Sequence, residues 1–166
     1  RHWCFIYDSL IELRKELKKL GQSLIVRIGS VTEIFNELST QFKIISIYAH
    51  EETGNQWTYD RDLNVKKWSN RKNIKLIEYP TNGIVRNLKN RDDWSKIRNL
   101  RMKENLIPKP ASLMPINEIL EGSIPKKNSP IFKNNFIGEV QKGGRSEALK
   151  IIHSFIKNRG QNYLSN

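Results

Sequence analysis

The spacing of apolar residues divides the first half of the chain into alternating helices and strands. Near the start, apolar residues recur at intervals of three and four, which predicts an amphipathic helix: Trp3, Ile6, Leu10, Leu13, Leu17 and Leu20. Gly21 predicts the end of this helix. Three apolar runs then predict buried strands at 23–28, 43–48 and 74–79. Helical patterns between these strands cover 31–38 and the stretch that follows a polar loop to about residue 70.

This order of elements predicts the class of fold. Strands that alternate with helices favour right-handed crossovers and a parallel sheet, so we predict an α/β fold. Ser30, with Glu33 three residues later, predicts a capping box at the start of the second helix. A sheet this small would be exposed at its edge, and no strand precedes the first helix. We therefore expect one or more strands before Arg1 in the intact protein.

The second half of the chain changes character at Asn105. Before it, a turn is predicted at 81–83, followed by a helix that Asn90 caps and that buries Trp94, Ile97 and Leu100. After it, prolines are frequent and periodicity is lost, which predicts an extended linker that crosses a surface. Isolated apolar residues are expected to anchor this linker: Leu113, Ile116, Ile119, Ile124 and Phe132. Gly143-Gly144 then precedes a further amphipathic helix that ends at Gly160, and we expect this helix to open a second domain.

The polar loop from Ala49 to Asp62 carries more functional groups than a connection needs. It lies where a predicted strand ends and a helix begins, which is the edge where open α/β sheets bind ligands. Carboxylates could hydrogen-bond a planar heterocycle there, and an aromatic ring could stack on it. The candidate residues are His50, Glu51, Glu52, Asn55 and Trp57, with Tyr59 as a second aromatic. The alternative is structural: His50 and Glu52 cap the following helix, and Trp57 lies in the core.

Composition narrows the class of protein. The net charge of +12 and the isoelectric point near 9.9 suit a polyanionic partner, nucleic acid first, although solubility or the basic drift of an AT-rich genome would also explain them. The single cysteine, Cys4, excludes an internal disulfide and favours a reducing compartment, so we expect a cytoplasmic protein. No apolar run is long enough to cross a membrane, and we expect no membrane partner. The sequence has no glycine-rich dinucleotide motif, no Walker-type loop and no metal-ligand spacing, so we predict no metal site.

Several motifs resemble those of the photolyase/cryptochrome family. The most specific runs from His50 to Asn55 and continues through Trp57-Thr58-Tyr59 to the Arg61-Asp62 pair. Others lie at 24–29, 82–86, 90–94 and 143–149, the last being similar to the first helix of the family's FAD-binding domain. The resemblance implies a Rossmann-like parallel sheet flanked by helices, without its first strand or strands, then a long linker and one helix of an all-α domain. It places an antenna domain at 1–104, the linker at 105–142 and the start of the helical FAD-binding domain at 143–166.

The resemblance also implies a function. It points to a flavin-dependent, blue-light-driven photolyase that repairs pyrimidine dimers in damaged DNA, acts as a monomer and keeps its catalytic residues outside this part of the protein. Tyr163 matches a tyrosine that contacts the FAD phosphates, and the His50 loop falls near the pocket for an antenna chromophore, a folate or a deazaflavin. Trp57–Asp60 stands where many members have Glu-Pro-Tyr, which leaves both antenna types and an empty pocket open. The alternatives are a cryptochrome-type photoreceptor without repair activity and a non-enzymatic α/β binding module.

Overall fold

The structure is a computed structural model that describes residues 2–81, 83–86, 88–132 and 138–163. The chain forms two compact units. One comprises Arg1–Arg27 together with Lys109–Asn166, and the other comprises Ile28–Pro108. In sequence, the second unit is therefore inserted between the two parts of the first.

The described residues contain five α-helices and two β-strands. In chain order they are α1 (His2–Leu20), α2 (Val31–Gln41), β1 (Ser46–His50), α3 (Gln56–Arg71), β2 (Lys75–Tyr79), α4 (Asp93–Met102) and α5 (Arg145–Ser154). A π-helical turn, Phe155–Arg159, and a 3₁₀ turn, Gly160–Asn162, follow α5. The predicted helices are confirmed, with boundaries shifted by a few residues.

The two strands form a parallel pair, as the alternation of elements predicted. Their register pairs Ser46 with Lys75 and His50 with Tyr79. Both strands therefore end at the same edge of the sheet, and the loop that follows β1 begins there. This edge is where ligands bind in open α/β sheets.

The core of the 28–108 unit lies between α2 and α3. Trp68 of α3 is only 2% exposed. Its ring centroid lies 5.3 Å from that of Phe35 on α2, and its indole N–H donates to Asn36 Oδ1 at 2.8 Å. Val65 and Ile74 are also buried. This cluster fixes α3, and with it the loop at the N-terminus of α3.

In the other unit, the predicted linker follows α1 from its C-terminal end to its N-terminal end. The Leu113 N–H donates to the Leu20 carbonyl at 2.6 Å. At the far end, the Trp3 ring stacks on Phe132 with centroids 4.1 Å apart. Ile124 is buried between these points. Leu113, Ile124 and Phe132 thus act as the expected anchors, Ile119 is half-buried, and the expectation for Ile116 is wrong because 47% of it is exposed.

The predicted strand at 23–28 is wrong, because this segment has no strand structure. Its backbone groups bond elsewhere: the Val26 N–H donates to the Glu121 carbonyl at 2.8 Å, and Arg14 Nε donates to the Leu24 carbonyl at 3.1 Å. An apolar run predicts burial, whereas a strand also needs a neighbouring strand to bond with. Here Glu121 of the linker and Arg14 of α1 supply hydrogen bonds that a neighbouring strand would otherwise make.

Two predicted helix starts are also corrected. α2 begins after Ser30, but the Ser30 hydroxyl bonds Thr32 Oγ1 at 3.2 Å and makes no capping bond, so the predicted capping box is wrong. α4 begins after Asp92 rather than Asn90. Asn90 Oδ1 accepts instead from the Asp92 N–H at 3.1 Å, which forms a turn before the helix.

The buried side predicted for α4 and the predicted end of the last helix differ from the structure. Trp94 is 42% exposed and Leu100 is 62% exposed, because α4 has little of its unit packed against it. Helical turns continue through Asn162, so Gly160 does not end the helical segment. The predicted turn at 81–83 includes Asn82, which lies outside the described residues.

Candidate ligand site at the carboxyl edge of the sheet

The loop that connects β1 to α3 is tied to the end of β2. The Glu51 N–H donates to the Tyr79 carbonyl at 2.8 Å, and the Thr81 hydroxyl donates to the Glu51 carbonyl at 3.0 Å. His50 is the last residue of β1 and its side chain is exposed. The loop therefore starts from a fixed point at the carboxyl edge of the sheet.

Glu52 organises the middle of the loop. Its Oε1 accepts from the N–H groups of Thr53 and Gly54 at 2.8 and 2.6 Å, and its Oε2 accepts from Arg61 Nη2 at 3.1 Å. Hydrogen bonds and charge hold the pKa of Glu52 below its ordinary value. The largest effect comes from the Gly54 N–H, followed by the Thr53 N–H and the Arg61 guanidinium. A Cβ at Gly54 would lie 2.8 Å from Glu52 Oε1, so the tight turn of the loop around this carboxylate favours glycine at position 54. The carboxylate is thus engaged within the loop.

Asn55 begins α3. Its backbone is extended, with φ −89° and ψ 172°, and its Oδ1 accepts from the Thr58 N–H at 3.1 Å. This is the usual geometry of an asparagine N-cap. The alternative in which His50 and Glu52 cap the helix is therefore wrong, and the cap is Asn55, one of the candidate ligand residues.

Trp57 lies in the first turn of α3 and is 73% exposed, so the alternative that places it in the core is wrong. It lines a cleft of about 400 Å³ between the start of α2 and the side of α3. Ser30, Asp60, Arg61 and Asn64 contribute polar groups to the same cleft. An aromatic ring beside several hydrogen-bonding groups is the usual composition of a small-ligand pocket.

Three of the remaining candidate residues line two other clefts. Glu52 and Asn55 line one of about 290 Å³ together with Arg86, and Glu51 lines one of about 240 Å³ that also contains Arg86. His50 lines none of these three clefts. The structure therefore does not bring the five predicted residues into one pocket.

Sequence reasoning did not select Arg86, which with Tyr59 lines both of these clefts. Its guanidinium lies over the Tyr59 ring, 5.0 Å from the centroid, and pairs with Glu78 at 3.3 Å. Partial burial lowers the pKa of Arg86, but hydrogen bonds with Tyr59 and Glu78 outweigh that effect and raise it. The only signal in the sequence was its position in the segment 82–86 that resembles the photolyase/cryptochrome family.

Tyr163 belongs to the other unit. It is 70% exposed, and its ring packs edge-on against Phe155 with centroids 5.5 Å apart. Its phenol hydroxyl is therefore accessible to a ligand. Within the described residues no three His, Cys, Asp or Glu side chains are placed to hold a metal ion. The helices of the same residues include none with the length and apolar character that a membrane crossing requires.

Comparison with known proteins identifies a family. The profile of the DNA photolyase family matches residues 1–96. Cryptochrome DASH, chloroplastic/mitochondrial, of Arabidopsis thaliana is 39% identical over 49 residues, which cover 30% of this chain and 9% of that protein. Cryptochrome DASH of Gloeobacter violaceus is 33% identical over 60 residues, which cover 36% of this chain and 12% of that protein. The blue-light photoreceptor PHR2 of Arabidopsis thaliana is 38% identical over 48 residues, covering 29% and 11%. Each match thus spans about a tenth of the relative.

Among solved structures, the cryptochrome of Synechocystis sp. PCC6803 has a similar fold. The TM-score is 0.70 with 21% sequence identity, over 98% of this chain and 37% of that one. Together with the parallel pairing of β1 and β2, this likeness confirms the predicted α/β fold.

Proposed function

Because the chain belongs to the DNA photolyase family, we propose that it is part of a flavin-dependent photolyase that uses blue light to repair pyrimidine dimers in DNA. In this proposal residues 1–104 form the antenna domain, 105–142 form the linker between domains, and 143–166 begin the helical FAD-binding domain. The family membership was itself predicted from the motifs between His50 and Asp62, and that prediction is confirmed.

The observation that carries the antenna role is the exposure of Trp57. A tryptophan that is 73% exposed leaves a large apolar ring in water, and here it borders a cleft with Arg61 and Asn64. A planar chromophore, a folate or a deazaflavin, would cover that ring by stacking and would take hydrogen bonds from the polar groups. We therefore assign the antenna to the Trp57 cleft. Glu52 and Asn55 then support the site by shaping the loop rather than by touching the ligand.

Tyr163 is the residue of this chain proposed to contact the flavin. Its exposed phenol fits a phosphate ligand, because a hydroxyl donates a hydrogen bond to a phosphate oxygen without requiring charge. FAD, when bound, supplies the light absorption and the electron that repair requires, and the protein binds and orients it. The part played by Tyr163 is to hold the phosphate end in place.

Damaged DNA is the proposed partner, and the protein is proposed to act as a cytoplasmic monomer. The net charge of +12 supports contact with phosphates, which attract lysine and arginine whatever the base sequence. A lesion inside a duplex must be extruded before chemistry can reach it. No residue of this chain is assigned to that step.

A second candidate is a photoreceptor without repair activity. Two of the relatives described above are named cryptochrome DASH, and the third is named a blue-light photoreceptor. Both candidates require flavin and an intact fold, and they differ only in whether dimers are repaired.

The test is an absorption spectrum of the full-length protein of which this chain is a part, purified under dim light, followed by a dimer-repair assay. Flavin absorption with repair supports the photolyase, and flavin absorption without repair favours the photoreceptor. A folded, colourless protein would refute both and leave the α/β binding module.

The antenna site has its own test in the same full-length protein. Trp57→Ala should remove an antenna band while flavin absorption remains, and Trp94→Ala, at another exposed tryptophan, should remove neither. An antenna band that survives in Trp57→Ala would refute the assignment to this cleft.

A further inference from the structure

The first turn of α5 lies unusually close to α1. A Cβ built on Gly143 would overlap the Phe5 carbonyl oxygen and would come within 2.7 Å of Ser9 Oγ. A Cβ built on Gly144 would overlap the Glu12 carboxylate, and Gly144 has φ +108°, which side chains rarely adopt. Both glycines are therefore required by the approach of the chain to one face of α1.

Hydrogen bonds fill this contact. Ser9 Oγ accepts from the Gly144 N–H at 3.0 Å. Glu12 Oε1 accepts from the Ser146 N–H at 2.9 Å and from the Ser146 hydroxyl at 2.7 Å. The first N–H groups of a helix have no partner within the helix and are usually capped by a side chain just before it. Gly144 is the N-cap of α5 and has no side chain to offer.

We propose that Ser9 and Glu12 form a cap supplied by another helix, and that Glu12 is the positioning residue that fixes where α5 begins and how it is directed. The carboxylate suits this place because negative charge is stabilised at the positive end of a helix. It bonds two groups of Ser146, so it restrains the rotation of the first turn as well as its position.

The geometry distinguishes Glu12 from its neighbour on α1. Glu16, one turn further along, bonds Lys19 of its own helix at 2.6 Å. Both are acidic residues on one helix, but only the Glu12 carboxylate has its bonds on α5. Glu16 therefore serves as a matched control.

Tyr163 follows α5 in the chain, so Glu12 acts on a flavin only through the placement of that helix. This consequence, unlike the docking contact itself, rests on the proposed function. The two parts can be tested separately.

Hydrogen exchange followed by mass spectrometry on the full-length protein tests the docking contact. Glu12→Ala should speed exchange in 143–149 about fivefold, the factor expected when a helix cap is lost. Exchange in 56–71 provides a reference for the stability of the 28–108 unit and should not change. Glu12→Gln keeps an oxygen acceptor and should restore most of the protection, and Glu16→Ala should leave it intact.

Two results would overturn the proposal: unchanged exchange in 143–149, or acceleration in Glu12→Ala that is as large in 56–71. Retention of flavin tests the functional link. Retention that is undiminished in a Glu12→Ala protein with fast exchange would refute the positioning role. A parent protein without any flavin would refute the proposed function and leave the exchange result standing.

Discussion

Asn55 should carry a measurable share of the stability of the 28–108 unit, because it caps the helix that bears the candidate site. Its Oδ1 bonds the Thr58 N–H at 3.1 Å and lies 3.4 Å from the Thr58 hydroxyl. Replacing an asparagine N-cap by alanine typically costs about 1 kcal/mol. Asn55 is exposed, so its truncation leaves no cavity and the lost cap is the whole effect. We therefore expect Asn55→Ala to lower the free energy of unfolding by about 1 kcal/mol.

Urea denaturation followed by tryptophan fluorescence measures this change. With slopes of about 1–3 kcal/mol per molar urea, typical of small proteins, the midpoint should fall by about 0.3–1 M. Ser30→Ala is the matched control, since Ser30 occupies the N-cap of α2 without a capping bond and should shift the midpoint far less. Asn55→Asp should stay close to the unchanged protein. Equal losses for Asn55→Ala and Ser30→Ala would refute the reasoning.

Two further predictions concern a buried residue of the 28–108 unit, Trp68, and a partly exposed ion pair of the other unit, that of Glu121. Trp68→Ala should destabilise the protein by about 3–5 kcal/mol in urea denaturation followed by circular dichroism, because it empties a buried site and leaves Asn36 without its donor; a loss below about 1 kcal/mol would contradict the packing described. Hydrogen bonds hold the pKa of Glu121 below its ordinary value of 4.5: the larger effect comes from Lys18 and the next from the Ser23 hydroxyl. A carboxyl group whose pKa is lowered on folding stabilises the folded state at pH values above its ordinary pKa. This stabilisation is lost as the pH falls through the lowered pKa. The thermal unfolding temperature of Glu121→Gln should therefore be lower than that of the unchanged protein at pH 7, and the two temperatures should converge in acid. A difference between the two temperatures that does not change with pH would contradict the role of the carboxylate.

Local pattern was enough to predict the elements whose signals lie within one stretch of chain. Apolar spacing located α1, and Gly21 marked its end, where it adopts φ +111° and its N–H donates to the Lys18 carbonyl. Apolar runs located β1 and β2, and alternation with helices predicted that they are parallel. The run at 23–28 carried the same signal, but whether a run becomes a strand depends on a neighbour that the run itself does not encode.

Caps and contacts across long separations could not be predicted in this way. Ser30 and Glu33 match a capping box that the structure does not form, whereas Asn55, which does cap a helix, was assigned to a ligand pocket. Both residues precede a helix with extended backbone, and they differ in the partner of the side chain: Asn55 accepts from the Thr58 N–H, whereas the Ser30 hydroxyl bonds Thr32 Oγ1. The bonds of Glu12 to Ser146 span 134 residues, and nothing in either local sequence indicates them.

The residues of the candidate site were predicted from their chemistry, and the structure shows which of them line which cleft. Polar and aromatic side chains between His50 and Trp57 were grouped because they share a loop. The structure separates them into the clefts around Trp57 and around Arg86, with Glu52 bonded inside the loop. Proximity in sequence located the region but not the orientation of each side chain.

The course of the linker along α1 has a consequence for synthesis on the ribosome. Several partners of α1 come late: Gly144, which bonds Ser9, lies 135 residues after it. At elongation rates of about 5–20 residues per second, α1 waits roughly 7–27 s for that contact. The intervening unit, 28–108, has its sheet and core within one stretch and can fold during that interval. The Trp3 ring also lacks its stacking partner until Phe132 has been synthesised. We therefore expect a chaperone that binds exposed apolar helices to hold α1 during this interval.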